Sequence, residues 1–264
     1  MKFTKQILIF VFAALASSCG TDEARLTVVN LQSFPEKQVV VDTLLAERLL
    51  ADSAAQTQTF AAGSAKLARL IQEAATLREN QNPGNWQAFL TGWEDFRSNA
   101  IATGRTPLSA GDSTATDLQA WAQLNIGLLK LSGEVRFADA VEDLLYSSSM
   151  PVLTGAQLKS VIYTHIDDQI FINLPGSSSL THAHTTGGTV KLIQETSYPA
   201  TNTILLKCES TDKRYLDVFI RIPSSAVNPT VTHGNVKYVA RPGEYCQISR
   251  KWNTGDEILV SLRN

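Results

Sequence analysis

The segment Ile166-Asp167-Asp168-Gln169-Ile170-Phe171-Ile172-Asn173-Leu174 separates two halves of different grammar. Asp167-Asp168 is turn chemistry, and Gln169–Leu174 behind it reads as a β-strand. From there to the C-terminus the pattern has period two. Candidate strands follow over 189–195, 203–207, 216–222, 230–233, 245–249 and 257–262. Asn228-Pro229, Arg241-Pro242-Gly243 and Thr254-Gly255-Asp256 punctuate them. Short strands at that spacing predict an antiparallel β-sandwich over residues 166–264.

Working back from the dividing segment, the period changes to 3.6. Val40, Leu44, Leu45, Leu49 and Ala51 fit one helix, and Leu67, Leu70, Ile71, Ala74 and Leu77 a second. Asn82-Pro83-Gly84-Asn85 is a loop in which Asn85 can cap the helix carrying Trp86, Phe89, Leu90, Trp93 and Phe96. A Gly-, Ser- and Thr-rich loop spans 104–116. Leu118, Trp121, Ala122, Asn125, Leu128 and Leu129 stripe the next helix, which Ser132-Gly133 ends. Phe137, Ala140, Val141, Leu144 and Leu145 stripe another, and 154–163 forms a last short one. The expected architecture is α+β: helical hairpins over 38–165, about six helices, then the sandwich.

The first residues carry export grammar. Lys2 and Lys5 are a positive head, Ile7 to Ala16 an apolar run too short for a permanent span, and Ala16-Ser17-Ser18 precede Cys19. Leu15-Ala16-Ser17-Ser18-Cys19 resembles a bacterial lipobox, displaced by one position because Ala16 stands three before the cysteine. Cys19 is therefore the expected lipidation site and the chain's only attachment to a membrane; an ordinary secretory signal is the competing reading. Residues 20–37 are read as a tether, with Leu26–Leu31 open to joining a sheet edge. Asp22-Glu23 is similar to the acidic export tag of surface lipoproteins, which points to the outer membrane.

The chain has 264 residues, 44% of them hydrophobic and 18% charged, and a formal charge of −2 that becomes −4 once Lys2 and Lys5 are cleaved away. Such a mildly acidic chain without a basic cluster argues against nucleic acid as a partner. Cys208 and Cys246 leave room for one disulfide in an oxidising compartment, although two buried strand cysteines are the plainer reading. His182-Ala183-His184 could put two imidazoles on one strand face, but two ligands do not make a metal site, and Ser177–Thr181 and Thr185–Gly188 look like a flexible turn. Glu94-Asp95 and Asp167-Asp168 are adjacent acids of the kind that sit solvated rather than facing each other. No cofactor motif is evident.

The last hundred residues resemble the β-L-arabinofuranosidase glycoside hydrolases. The phrases that carry this are Gln194-Glu195-Thr196-Ser197-Tyr198-Pro199, Ile220-Arg221-Ile222-Pro223, Pro242-Gly243-Glu244-Tyr245 and Arg250-Lys251-Trp252-Asn253-Thr254-Gly255-Asp256-Glu257-Ile258. Upstream, Leu128 to Glu134, Phe137-Ala138-Asp139 and Leu144-Leu145-Tyr146 are similar to a helix pair of that family's catalytic barrel. The likeness covers about 114–264; residues 20–110 match poorly. It implies that the helices are part of an (α/α) barrel, about half of one.

The same resemblance implies a zinc held by cysteines and a glutamate, with a further cysteine as nucleophile. Where the family has Glu-Thr-Cys-Ala this chain has Thr114-Ala115-Thr116-Asp117, and Ser147-Ser148-Ser149-Met150-Pro151 carries none of the family's cysteines. A hydroxyl cannot stand in for a zinc-bound thiolate. The expectation is a non-catalytic envelope relative that binds or organises plant-type glycans, with Trp252 and Tyr245 as stacking candidates and Trp86, Trp93 and Trp121 in the core. A scaffold that dimerises or takes a partner subunit through an uncovered helical face is the alternative. An active glycosidase with a rebuilt acid pair is a further one.

Overall fold

The computed structural model describes residues 26–42, 65–77, 79, 83–101, 115–147 and 152–263. Cys19, Asp22-Glu23 and the stretch from Leu44 to Ala51 lie outside them. The helices among the described residues are α1 (Ala65–Leu77), α2 (Pro83–Ile101), α3 (Ala115–Ser132), α4 (Val135–Ser147) and α5 (Gly155–Ile162). The strands are β1 (Gln32–Ser33), β2 (Val39–Val41), β3 (Tyr163–Ile166), β4 (Gln169–Ile172), β5 (Ser178–Ala183) and β6 (Thr189–Thr196). They continue with β7 (Thr203–Ser210), β8 (Arg214–Arg221), β9 (Val227–His233), β10 (Val236–Tyr238), β11 (Tyr245–Trp252) and β12 (Glu257–Arg263).

The fold class is the expected α+β. One sheet runs β1-β3-β4-β8-β11 and the other β10-β9-β12-β7-β6-β5-β2. Adjacent strands are antiparallel except β4 and β8, which run parallel with Phe171 beside Phe219. Alternate residues of β8 separate two cores. Leu216, Val218 and Ile220 face the other sheet, whereas Phe219 faces outward and stacks on Phe171 with ring centroids 4.5 Å apart.

The helices pack through aromatic residues on the predicted stripes. Trp93 stacks on Trp121 at 5.7 Å and meets Phe137 edge-on at 5.1 Å. Asn125, on the same stripe, is buried: it accepts the Trp93 indole N–H at 2.9 Å and donates to the Trp121 carbonyl at 2.8 Å. Gly133 ends α3 with φ +70°, a left-handed conformation that glycine adopts freely. The Lys130 and Leu131 carbonyls left open at that end accept backbone N–H groups from Leu31 and Val29 at 2.7 and 2.8 Å. At the start of α5, Thr154 and Gln157 form a reciprocal capping box.

Four expectations are corrected. Residues 26–37 are not a tether: Leu26, Leu31 and Phe34 are buried, and β1 pairs with β3. Val40 belongs to β2, not to a helix, because the run Val39–Val41 is held extended against β5. Asn85 is not a cap, since α2 already begins at Pro83, whose fixed φ suits a first helical position. Ser178–Ala183 is a strand rather than part of a turn; Ser178, Leu180 and His182 alternate inward, and only the residues after it turn. Residues 26–42 therefore form a strap, joined by β1 to the edge of one sheet and by β2 to the edge of the other.

Candidate functional site

The family-like phrases converge where the helices meet the sandwich. Arg221, at the end of β8, points outward beside Phe219 and is fully enclosed. Its guanidinium donates to Asp139 and pairs with Glu142, both on α4, and its Nε donates to the Asn173 carbonyl. Asp139 also accepts the Ser224 hydroxyl at 2.5 Å. Glu142 accepts the Tyr198 hydroxyl. Tyr245 donates to Asn173 Oδ1 at 2.6 Å, and Asn173 Nδ2 donates to the Val161 carbonyl at 2.8 Å. Burial lowers the Arg221 pKa while Asp139 opposes the fall, and burial raises that of Tyr245 far above the phenol range. Beside this knot a cleft lined by Arg97, Asp139, Glu142, Asp143 and Ser224 has room for roughly a couple of waters, not for a sugar ring.

The remaining phrase residues are likewise occupied with folding. Gln194 is buried between the sheets and donates to Tyr163 Oη at 3.1 Å. Trp252 has no exposed surface, and its Nε1–H donates to the Leu216 carbonyl at 3.2 Å. Asp256 accepts the Asn253 N–H at 2.9 Å in the turn before β12. The two stacking candidates thus have no open ring: Trp252 lies inside the sandwich and half-buried Tyr245 is tied to Asn173. Trp86, Trp93 and Trp121 are core residues as expected. The exposed aromatic that sequence reading passed over is Tyr215 of β8, 51% exposed, with Lys251 opposite it on β11.

Asp168, in the two-residue turn between β3 and β4, collects the histidines. Its Oδ1 accepts from His182 Nε2 at 2.8 Å and from the Thr185 N–H at 3.1 Å. His184 Nε2 comes within 3.3 Å of the same carboxylate. Burial works against the Asp168 charge, but the Thr185 and His182 bonds outweigh it and hold its pKa below the ordinary carboxylate value. Among the described residues no group of three His, Cys, Asp or Glu is arranged to hold a metal ion. The adjacent acids Glu94 and Asp95 do not converge: they pair separately, with Arg136 and Lys66.

Among the described residues a zinc of the resembled family finds no fitting donors. Asp117 supplies the acidic residue of the first turn of α3, and both described cysteines are free and buried inside the sandwich. Burial pushes the Cys208 thiol up to about 12 and that of Cys246 up to about 11, so neither offers a thiolate at neutral pH.

Residues 169–263 match the profile of the β-L-arabinofuranosidase GH127 middle domain. Among solved structures, a GH127 β-L-arabinofuranosidase from Geobacillus stearothermophilus T6 is similar over 78% of this chain and 43% of its own, with TM-score 0.57 and 19% identity. A glycoside hydrolase is similar over 57% of this chain and 32% of its own, with TM-score 0.50 and 19% identity. The chain thus spans less than half the length of either, and the likeness to them is one of fold. No curated protein sequence matches it.

Proposed function

We propose that the chain is a non-catalytic relative of the β-L-arabinofuranosidases, held at the bacterial envelope by lipid on Cys19, that binds or organises plant-type glycans. The observation that carries this reading is where the family-like residues spend their bonds. Asp139, Gln194, Tyr198, Arg221, Tyr245 and Trp252 all hold helices and sheets together. Thr114–Asp117 and Ser147–Pro151, by contrast, lack the sulfur ligands such chemistry needs. What persists is the scaffold of a glycan enzyme. Glycan contact then falls to an open surface, for which Tyr215 is the aromatic, with Lys251, Gln247 and Ser249 as hydrogen-bonding neighbours on the same face of β11.

Residues 20–264 incubated with arabinose-containing and other plant glycans give the test, reading binding and released sugar together. Binding without release, lost in Tyr215→Ala, is the expected result. Released sugar overturns the non-catalytic reading. Silence in both readouts moves the assignment to a partner-binding scaffold. That second reading has its own observation: the exposed apolar side chains Val227, Val236, Val239 and Leu259 gather on and around β9, β10 and β12. Among the described residues no exposed large apolar side chain lies on a helix, so a partner would meet the sheets.

A further inference from the structure

Phe34 sits where the strap crosses from one sheet edge to the other, and it packs on titratable rings. It stacks on His165 with centroids 4.3 Å apart and meets His182 edge-on at 5.7 Å. His184 follows at 6.4 Å from His182. Three of the chain's four histidines thus gather around Asp168. The other groups facing them are few. Exposed Asp167 turns its carbonyl to His165 Nδ1 at 3.3 Å, Asp217 gives its backbone N–H to the Asp168 carbonyl, and Glu36 on the strap is engaged by Lys159.

Hydrogen bonds fix the ring of His184. His184 Nδ1 accepts the Thr186 N–H at 3.1 Å while Nε2 donates to the Tyr215 carbonyl at 3.0 Å. His165 is half-buried under Phe34, and its charged form is favoured by the long Asp167 carbonyl contact and by the Asp167 and Asp168 carboxylates. Burial holds its pKa below the usual histidine value against the pull of that carbonyl, and His182 adds to the lowering.

We propose that residues 32–41 are an acid-sensitive clasp, seated across the sandwich edge at neutral pH and loosened in mild acid while both sheets stay intact. The sign follows from His165. Its neutral form is favoured in the closed state, so closure is strongest above the free histidine value and weakens as pH falls below it. A histidine wholly barred from protonation in the closed clasp sets a ceiling of about 30-fold on the weakening between pH 7.5 and 5.0. What opposes opening is the burial of Phe34 and Val39 and the Ser33 hydroxyl bond to the Ser160 carbonyl at 2.7 Å, beside two residues of β1, three of β2 and the exposed Lys159–Glu36 pair.

Hydrogen exchange of residues 20–264 at pH 7.5 and 5.0, corrected for intrinsic rates, reads the clasp directly. The expected result is that Val39–Val41 amides lose several-fold of their protection at pH 5.0 while β8 and β11 amides keep theirs. His165→Phe retains the stack without the titration, so its strap should keep most of its protection in acid. Equal strap protection at both pH values in the unmodified chain overturns the proposal. So does loss of β8 and β11 protection in step with the strap, or a His165→Phe strap that opens as far as the original.

Discussion

Where the helices meet the sandwich, an arginine side chain 1% exposed holds two carboxylates; where the strap meets it, histidines gather around a carboxylate 21% exposed. The first junction uses a cation that stays charged at any physiological pH. The second sets Phe34 on His165, an imidazole whose neutral form burial favours. Both tie an outlying element to the same pair of sheets. The difference teaches that the helical attachment is permanent by chemistry, whereas the strap attachment is conditional. It also separates two kinds of family-like residue. Arg221, Asp139 and Tyr198 lie in the matching phrases and make the permanent junction; the histidines lie in none of those phrases.

Substitutions can break that contrast or sharpen it. The largest effect is expected for Arg221→Met, which leaves Asp139 and Glu142 enclosed without their cation and should cost about 3–5 kcal/mol in urea unfolding. A loss under about 1 kcal/mol would mean the helices are held by apolar contact and the ionic knot is incidental. Phe34→Ala comes next: removing an enclosed ring costs about 3 kcal/mol, read as strap amides exchanging freely at pH 7.5 with core protection retained. Should the core weaken equally, the strap is part of the sandwich rather than a conditional addition. Asn125→Ala strips the buried Trp93 N–H of its acceptor and should cost about 1–3 kcal/mol, a measure of an ordinary buried polar bond against which the Arg221 knot is judged. Lys159→Ala removes an exposed pair on the strap and should change stability by about 0–1 kcal/mol, less at high salt.

The sandwich was legible because its strands keep period two between turn residues. Tyr245–Ser249 and Glu257–Leu262 differ from the observed β11 and β12 only at their ends. β5 was missed because Ser178, Ser179 and Thr181 have turn composition, and only their placement beside β6 shows that alternate residues face inward. The strap was missed for the opposite reason. Val39–Val41 is apolar enough to continue into a helical stripe with Leu44 and Leu45, and only the edge of β5 pulls it straight. At the site, Trp252 and Tyr245 were singled out for ring chemistry, whereas burial decides whether a ring can meet a ligand. The pairing of Arg221 with Asp139 has no sequence signal: the residues are 82 positions apart, and each looks like an ordinary member of its own element.

The strap also sets an order of events. Its Ser33 hydroxyl reaches the Ser160 carbonyl 127 residues further along the chain, and its two short strands pair with β3 and β5, which are synthesised later still. A segment made early thus has no partner until most of the chain exists. Contacts of such long sequence separation form late, after the loops between them have closed. For most of its synthesis the molecule carries two unpaired sheet edges in prospect and the piece that will cover them at the opposite end. During synthesis that piece is made before the strands it will pair with, and it waits on them.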